Sequence, residues 1–125
     1  MKLGRITHPL FGVTLEKVKS QEPPLRAAFA LKGISKKYTE EMAKYEEVRQ
    51  AALKKYANKK EDGSLELNES NNAQFSQENW KLFAAEIEAL HQTDIELGTI
   101  KISDLGDKMM LSVDDLMVLD SVIVG

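Results

Sequence analysis

The sequence predicts a mainly α-helical fold with a small β element, in which one long helix packs antiparallel against a second helix as a hairpin. Apolar residues recur at steps of three and four from Leu31 to Tyr56, which indicates a long amphipathic helix. The same spacing returns between Trp80 and Leu90 and indicates the second helix. After Ile95 apolar residues alternate with polar ones, so we expect a short β segment and a short helix in the C-terminal tail.

The composition is typical of a soluble globular protein and is consistent with a single domain over residues 1–125. Apolar residues make up 42% of the chain and charged residues 30%. The 17 basic and 20 acidic residues give a net charge of −3, which provides no strong field for nucleic acid or for an anionic membrane. We therefore expect neither nucleic acid nor a membrane as a partner.

The absence of cysteine excludes disulfides, thiol catalysis and thiolate metal sites. No apolar run of signal-peptide length follows Met1, and no segment approaches the roughly 20 apolar residues that a membrane span needs. We therefore expect a protein that acts inside a cell or within a particle assembled there.

The N-terminal segment is open to two interpretations. Residues 2–7 alternate weakly and could form a short strand. Thr7 or His8 could cap a helix that begins at Pro9, where proline sacrifices no hydrogen bond. The apolar residues that follow keep helical spacing and predict a short helix: Phe11, Leu15 and Val18.

The long helix can begin at Pro23 and Pro24 and run to about Tyr56 or Ala57. Gly33 and Ser35 lower its helical propensity, so a kink or break near them remains an alternative. We expect ion pairs four residues apart on its polar face, among them Lys36–Glu40 and Lys37–Glu41. Its apolar stripe consists of Leu31, Ile34, Tyr38, Met42, Tyr45, Val48, Ala52 and Tyr56.

Residues 58–75 form a polar segment that we expect to be a mobile loop, with a turn at Asp62-Gly63 and a possible short strand from Ser64 to Leu67. Ser76 can cap the helix that follows, which runs to about His91. A hairpin of this helix with the long one would bury three of its residues, Trp80, Phe83 and Ile87, against Tyr45, Val48 and Tyr56.

The tail combines both kinds of pattern. Residues 95–102 alternate around Gly98 and are strand-like. Ser112 and Asp115 have the spacing of a capping box, with aspartate in place of the usual glutamate, and predict a last short helix through Leu119.

No set of side chains has the spacing of a catalytic or cofactor site. His8 and His91 are the two histidines, and neither has a second ligand at metal-binding spacing. The carboxylates in the tail, at positions 104, 107, 114 and 115, have the placement of turn and cap residues, although a magnesium or calcium site there is an alternative. We expect a protein that is not an enzyme and binds no cofactor.

The first half of the long helix is the candidate surface for binding a partner protein. Its second half is expected to pair with residues 80–90. The first half has no equally long partner within the chain, apart from the segment Phe11 to Val18 and the tail around Leu116. The methionines at 109, 110 and 117 can be core residues or an adaptable contact surface. The candidate partner-binding residues are Leu25, Phe29, Leu31, Ile34 and Tyr38.

Several features follow one another from about Leu25 onward. They are the stretches Tyr45 to Arg49 and Leu53 to Tyr56, the turn Asp62-Gly63, the helix Phe83 to Leu90, and the stretches Ile102 to Leu105 and Asp114 to Leu116. In this order they resemble a family of small proteins of unknown function encoded by tailed bacteriophages. The resemblance implies a phage gene product that acts in the host bacterial cytoplasm or is built into the virion.

We therefore expect a non-enzymatic phage protein that acts through protein–protein contacts. A virion structural or assembly component, bound to copies of itself or to a neighbouring phage protein, is the first hypothesis. The alternative is a phage-encoded inhibitor or regulator that binds a host protein. Negative net charge suits the alternative, because it can complement a basic surface.

Overall fold

The structure is a computed structural model that describes all residues from 1 to 125. It confirms the mainly α fold with a small β element. The elements, in chain order, are α1 (Leu3–Thr7), α2 (Pro9–Ser20), α3 (Leu25–Tyr56), α4 (Gln77–His91), β1 (Ile100–Lys101), a 3-10 helix (Ile102–Leu105), α5 (Val113–Val118) and β2 (Ile123–Val124).

The contacts divide the chain into two compact units. Unit 1 comprises residues 1–42 and 93–125, and unit 2 comprises residues 43–92. Helix α3 is continuous and contributes its first half to unit 1 and its second half to unit 2. Gly33 and Ser35 do not interrupt it, so the predicted extent of this helix is confirmed. Whether the chain folds as a single cooperative domain stays a prediction.

The strand alternative for residues 2–7 is wrong, because residues 3–7 form α1. Leu3 and Ile6 are both buried, and a spacing of three places two side chains on one side of a helix but on opposite faces of a strand. Of residues 2–7, Lys2 is the one that pairs like a strand residue, in an isolated antiparallel bridge with Asp94. His8 caps α2, as one alternative predicted, because its Nδ1 accepts a hydrogen bond from the Leu10 N–H at 3.2 Å.

The core of unit 1 is formed by the inner faces of α1, α2 and α3 together with apolar residues of the tail. In the tail, β1 and β2 pair in parallel, with Ile100 opposite Ile123. A short β segment and a short helix in the tail are therefore confirmed. The predicted extent of the strand is wrong, because it is confined to Ile100–Lys101 and Ile102 begins the 3-10 helix. The buried core residues are Leu3, Ile6, Phe11, Leu15, Val18, Ala27, Leu31, Ile34, Ile95, Leu97, Ile100, Leu105, Leu119, Val122 and Ile123.

Hydrogen bonds and ion pairs hold the segment that contains α5 against α1 and α2. Gln21 donates to the Met110 carbonyl at 2.9 Å and accepts from the Met110 N–H at 2.7 Å. Lys17 pairs with Asp115, and Arg5 pairs with Asp120 at 2.5 Å. The predicted capping box of α5 is present, because Ser112 and Asp115 exchange hydrogen bonds between side chain and backbone in both directions.

Unit 2 contains the predicted hairpin of α3 with α4. The two helices are antiparallel, since Tyr45 lies by His91 and Tyr56 donates to Glu86 at 2.7 Å. The predicted hairpin core is wrong in part: Trp80 is 52% exposed and Val48 49% exposed. Leu53, one position from the predicted stripe, is buried instead with Ala52 and Phe83, and the ring of Phe75 packs 4.9 Å from that of Phe83.

The polar segment 58–75 is built around a ring of three backbone hydrogen bonds. Asn58 donates to the Gln74 carbonyl at 2.7 Å, Gln74 to Glu66 at 3.1 Å, and Glu66 back to Asn58 at 2.9 Å. These three residues are spaced by eight along the chain, and each follows an apolar residue that is buried or half-buried: Ala57, Leu65 and Ala73. The strand predicted from Ser64 to Leu67 is represented by bridges at Leu65 and Leu67.

Candidate partner-binding surface

Leu25 and Phe29 are the most exposed large apolar residues of the protein. Their exposed fractions are 89% and 81%. They lie four residues apart at the N-terminal end of α3, so their side chains are neighbours on one face of the helix. The structure thus leaves two of the candidate partner-binding residues fully available to another molecule.

The other three candidates belong to the interior of unit 1. Leu31 and Ile34 are only 4% and 2% exposed, so no partner reaches them in this conformation. Tyr38 is half-buried, and its ring stacks on that of Phe11 at 5.6 Å. The chain's own N-terminal helices and tail cover these residues, so the prediction that they bind a partner is wrong for Leu31 and Ile34. We therefore restrict the candidate surface to the outer face, on which Leu25 and Phe29 lie.

Positive charge continues this outer face along α3. Lys32 and Lys36 follow Phe29 at helical steps of three and four, which places all three on the same side of the helix. Arg26 and Lys37 flank them, and no acidic residue occurs between positions 23 and 39. None of these four cations forms an ion pair within the chain, so the predicted pairs of Lys36 and Lys37 are absent.

Gly33 opens a gap on the helix beside Phe29. A Cβ atom added at Gly33 would meet nothing within 4 Å, so the fold itself does not require a glycine here. Glycine in an exposed helix is less favourable than alanine by about 1 kcal/mol. A backbone without a side chain at this position lets another molecule approach α3 closely.

A recess of about 300 Å³ borders the exposed face at Lys32. The hydroxyl oxygen of Ser35, which lines the recess, is buried and has no hydrogen-bond partner. The recess is large enough for an apolar side chain, and Lys32 and Lys19, whose ammonium group is paired with Glu16 at 2.9 Å, belong to its lining. Its remaining lining residues are Pro23, Ala28 and Leu31.

A second exposed apolar face accompanies α5. Met110, Val113 and Met117 are 74%, 74% and 65% exposed. Val113 and Met117 lie four residues apart in α5, and the carboxylate of Asp114 is exposed next to them. Of the two alternatives for the methionines, the structure therefore places Met110 and Met117 outside the core. The sequence signal that could have identified this face is the absence of any basic residue from position 109 to 125.

Unit 2 contains an open groove of about 490 Å³ with an aromatic wall. The rings of Phe75, Trp80 and Phe83 lie 4.9 to 6.0 Å apart and form that wall. Arg49 borders the groove, but its guanidinium is already paired with Glu46 at 3.1 Å. The groove offers an apolar surface without a charged group that is free to define a ligand.

The titratable side chains whose pKa is shifted are engaged in structural contacts. Hydrogen bonds from Lys17 and from the Ser112 N–H hold the pKa of Asp115 below its ordinary value. The Tyr56 hydroxyl and Lys55 act in the same direction on the pKa of Glu86. Burial raises the pKa of Tyr45, whose hydroxyl lies 3.2 Å from His91 Nε2. No three histidine, aspartate or glutamate side chains gather in a cluster that could hold a metal ion.

Comparison with known proteins identifies no relative from which a function could be transferred. No protein-family model, no curated protein and no solved structure matches the chain. None of the helices is both long enough and apolar enough to cross a membrane.

Proposed function

We propose that the protein acts by binding another protein through the outer face of α3, at Leu25, Phe29, Lys32 and Lys36. The exposure of Leu25 and Phe29, at 89% and 81%, is the observation that carries this proposal. Full burial of one such side chain contributes about 1.5–3 kcal/mol, and aromatic residues are favoured at the centres of interfaces.

Single exposed apolar residues are common on protein surfaces and by themselves indicate nothing. Here the two most exposed ones are neighbours on one helix face, and the same face continues into cations without intramolecular partners. Gly33 lies on the same turn as Lys32, where the fold does not require a glycine. An apolar centre with a polar, solvent-accessible rim is the general composition of protein interfaces.

The class of protein that we propose is a phage structural or assembly component. This choice rests on the resemblance to small tailed-phage proteins and on the surface just described. The second candidate, an inhibitor or regulator of a host protein, would use the same face, so the identity of the bound protein decides between them.

Photo-cross-linking tests the proposal. A photoreactive amino acid replaces Phe29 in one variant and Leu82 in the control, an apolar residue of α4 that is 47% exposed. In cells in which the protein acts, we expect position 29 to yield one discrete adduct that position 82 does not yield. An adduct with this chain or another virion protein supports an assembly component, and an adduct with a host protein supports the regulator. Equal, diffuse labelling from both positions would contradict a binding face on α3.

A further inference from the structure

We infer that the partner of the α3 face is a second copy of this chain, which contributes the apolar and acidic face of α5. This inference rests on the proposed function and specifies its partner. The α3 face is defined by Leu25, Phe29, Lys32 and Lys36, and the α5 face by Met110, Val113, Asp114 and Met117.

The two faces carry opposite charge. Residues 23–39 contain four basic residues and no acidic one, whereas residues 109–125 contain three acidic residues and no basic one. In a chain with nearly equal numbers of acids and bases, this separation gives α3 a cationic stretch and the C-terminal segment an acidic one. Opposite potentials on two surfaces steer their encounter and fix their register.

The charges available for a contact between copies are those without a partner inside the chain. Asp115 and Asp120 are engaged by Lys17 and Arg5, so they hold α5 in place. Asp114 is exposed and forms no ion pair, which matches the unpaired state of the cations on α3. A contact between the two faces therefore pairs these charges without breaking any ion pair of the fold.

The α3 face combines projecting apolar side chains with a neighbouring recess. Leu25 and Phe29 project from α3, and beside them lies the recess of about 300 Å³. Methionine is flexible and favours contact with aromatic rings, so Met117 can fill such a recess and touch Phe29 at the same time. The gap at Gly33 then lets α5 of the second copy approach the backbone of α3.

Each copy carries both faces, so a copy that uses one of them retains the other. Contacts between unlike faces either close into rings or continue as filaments, and a two-fold pair uses both faces of each copy at once. All three arrangements fit a component that assembles with itself, and all three require the same pairing of α3 with α5.

Sedimentation velocity over a range of protein concentrations tests this inference on the full chain. We expect the parent protein to self-associate and the association to weaken at high salt, because screening acts on exposed charges. Lys32→Glu combined with Lys36→Glu is expected to reduce the association constant by about tenfold or more. Lys59→Glu with Lys60→Glu makes the same change in net charge on unit 2 and is expected to leave association unchanged.

A charge exchange between the two faces identifies the contact itself. Asp114→Lys alone is expected to weaken association, while the Ser112–Asp115 capping box of α5 stays intact. Mixing this variant with the Lys32→Glu, Lys36→Glu variant is expected to restore association between the two proteins. A mixture that remains monomeric, although the parent associates, would overturn the pairing of α3 with α5.

Sedimentation and cross-linking together distinguish failure of the second-copy partner from failure of the binding face on α3. A parent protein that stays monomeric at every soluble concentration, combined with an adduct from position 29 to a different protein, overturns the second-copy partner and supports a binding face. A monomeric protein that gives no adduct from position 29 overturns both.

Discussion

Two helical glycines of unit 1 have opposite surroundings. A Cβ at Gly12 would lie 2.6 Å from the hydroxyl oxygen of Tyr38, whereas one at Gly33 would meet nothing within 4 Å. We expect Gly33→Ala to raise the free energy of unfolding of the isolated protein by about 0.5–1 kcal/mol, since alanine favours a helix. The free energy of unfolding of Gly12→Ala is expected to lie at least about 1 kcal/mol below that of Gly33→Ala, because the added methyl group displaces Tyr38.

Urea denaturation followed by far-UV circular dichroism measures both variants. If Gly33 serves close approach of a partner, Gly33→Ala will also weaken binding to the α3 face although it stabilises the fold. Equal stability changes at Gly12 and Gly33 would contradict the packing of Tyr38 against α2. Stronger binding by the Gly33 variant would contradict the role given to the gap beside Phe29.

The carboxylate of Asp115, in the first turn of α5, makes the stability of the fold depend on pH in the acid range. Hydrogen bonds from Lys17 and from Ser112 lower its pKa in the folded state from the ordinary 3.8. A lowered pKa stabilises the fold at pH values above 3.8, and this contribution is lost as the pH falls below 3.8 through the folded-state pKa. We expect Asp115→Asn to unfold more easily than the parent at neutral pH, with the difference vanishing in acid.

Thermal unfolding at a series of pH values measures this effect. Asp114→Asn is the matched control at protein concentrations low enough to keep the chain monomeric, since Asp114 makes no hydrogen bond or ion pair in the fold, and its effect should then be small at every pH. A stability difference for Asp115→Asn that is the same at neutral and acid pH would show that packing, and not the ionised carboxylate, is responsible.

At the scale of single residues, caps were predictable and burial on the first half of α3 was not. The caps at His8 and Ser112 depend on neighbours within four positions, which the sequence displays directly. The burial of Leu31 and Ile34 depends on α1, α2 and the tail, which come from opposite ends of the chain. Helical spacing alone gave no means of ranking those segments as a cover.

At the scale of elements, the ring of hydrogen bonds in residues 58–75 implies slower amide exchange than a mobile loop would show. The amide hydrogens of Asn58, Glu66 and Gln74 are each donated within this ring. We expect them to exchange with solvent at least about a hundredfold more slowly than those of Glu61 and Glu69, which lie in the turns and donate to no backbone carbonyl. Amide exchange followed by NMR measures all five positions, and uniform fast exchange would mean that the ring does not persist in solution.

The elements that the sequence predicted are those with a regular period. The long helix, the helix after Ser76 and the final helix follow from apolar spacing and cap residues. The ring at 58–75 escaped detection because each of its three strand-like pieces is short and mostly polar. The eight-residue spacing of Asn58, Glu66 and Gln74, each after an apolar residue, is a signal that could have indicated it.

At the scale of the whole molecule, α3 connects the two units as one unbroken helix. Because helices form cooperatively along their length, we expect unfolding of one unit to propagate through α3 into the other. Leu31→Ala in unit 1, with an expected cost of about 2–5 kcal/mol, should then shift the unfolding transition reported by Trp80 in unit 2.

Trp80 is the single tryptophan, so its fluorescence follows unit 2, while far-UV circular dichroism follows all the helices. Coincident transitions, displaced together in the Leu31→Ala variant, would support the single cooperative domain predicted from the sequence. The exposed Phe29→Ala variant is the control and should leave both transitions nearly unchanged at concentrations at which the protein is monomeric. A Trp80 transition that Leu31→Ala leaves in place would show two independently stable domains.

The proposed binding function requires that the outer face of α3 is covered when the protein acts. Hydroxyl-radical footprinting, read by mass spectrometry, measures how accessible individual side chains are in the free protein and in its native complex. We predict that Leu25 and Phe29, freely oxidised in the dilute protein, become protected in the complex, while Leu82 on α4 does not. Equal oxidation of Phe29 in both states would contradict a binding function for this face.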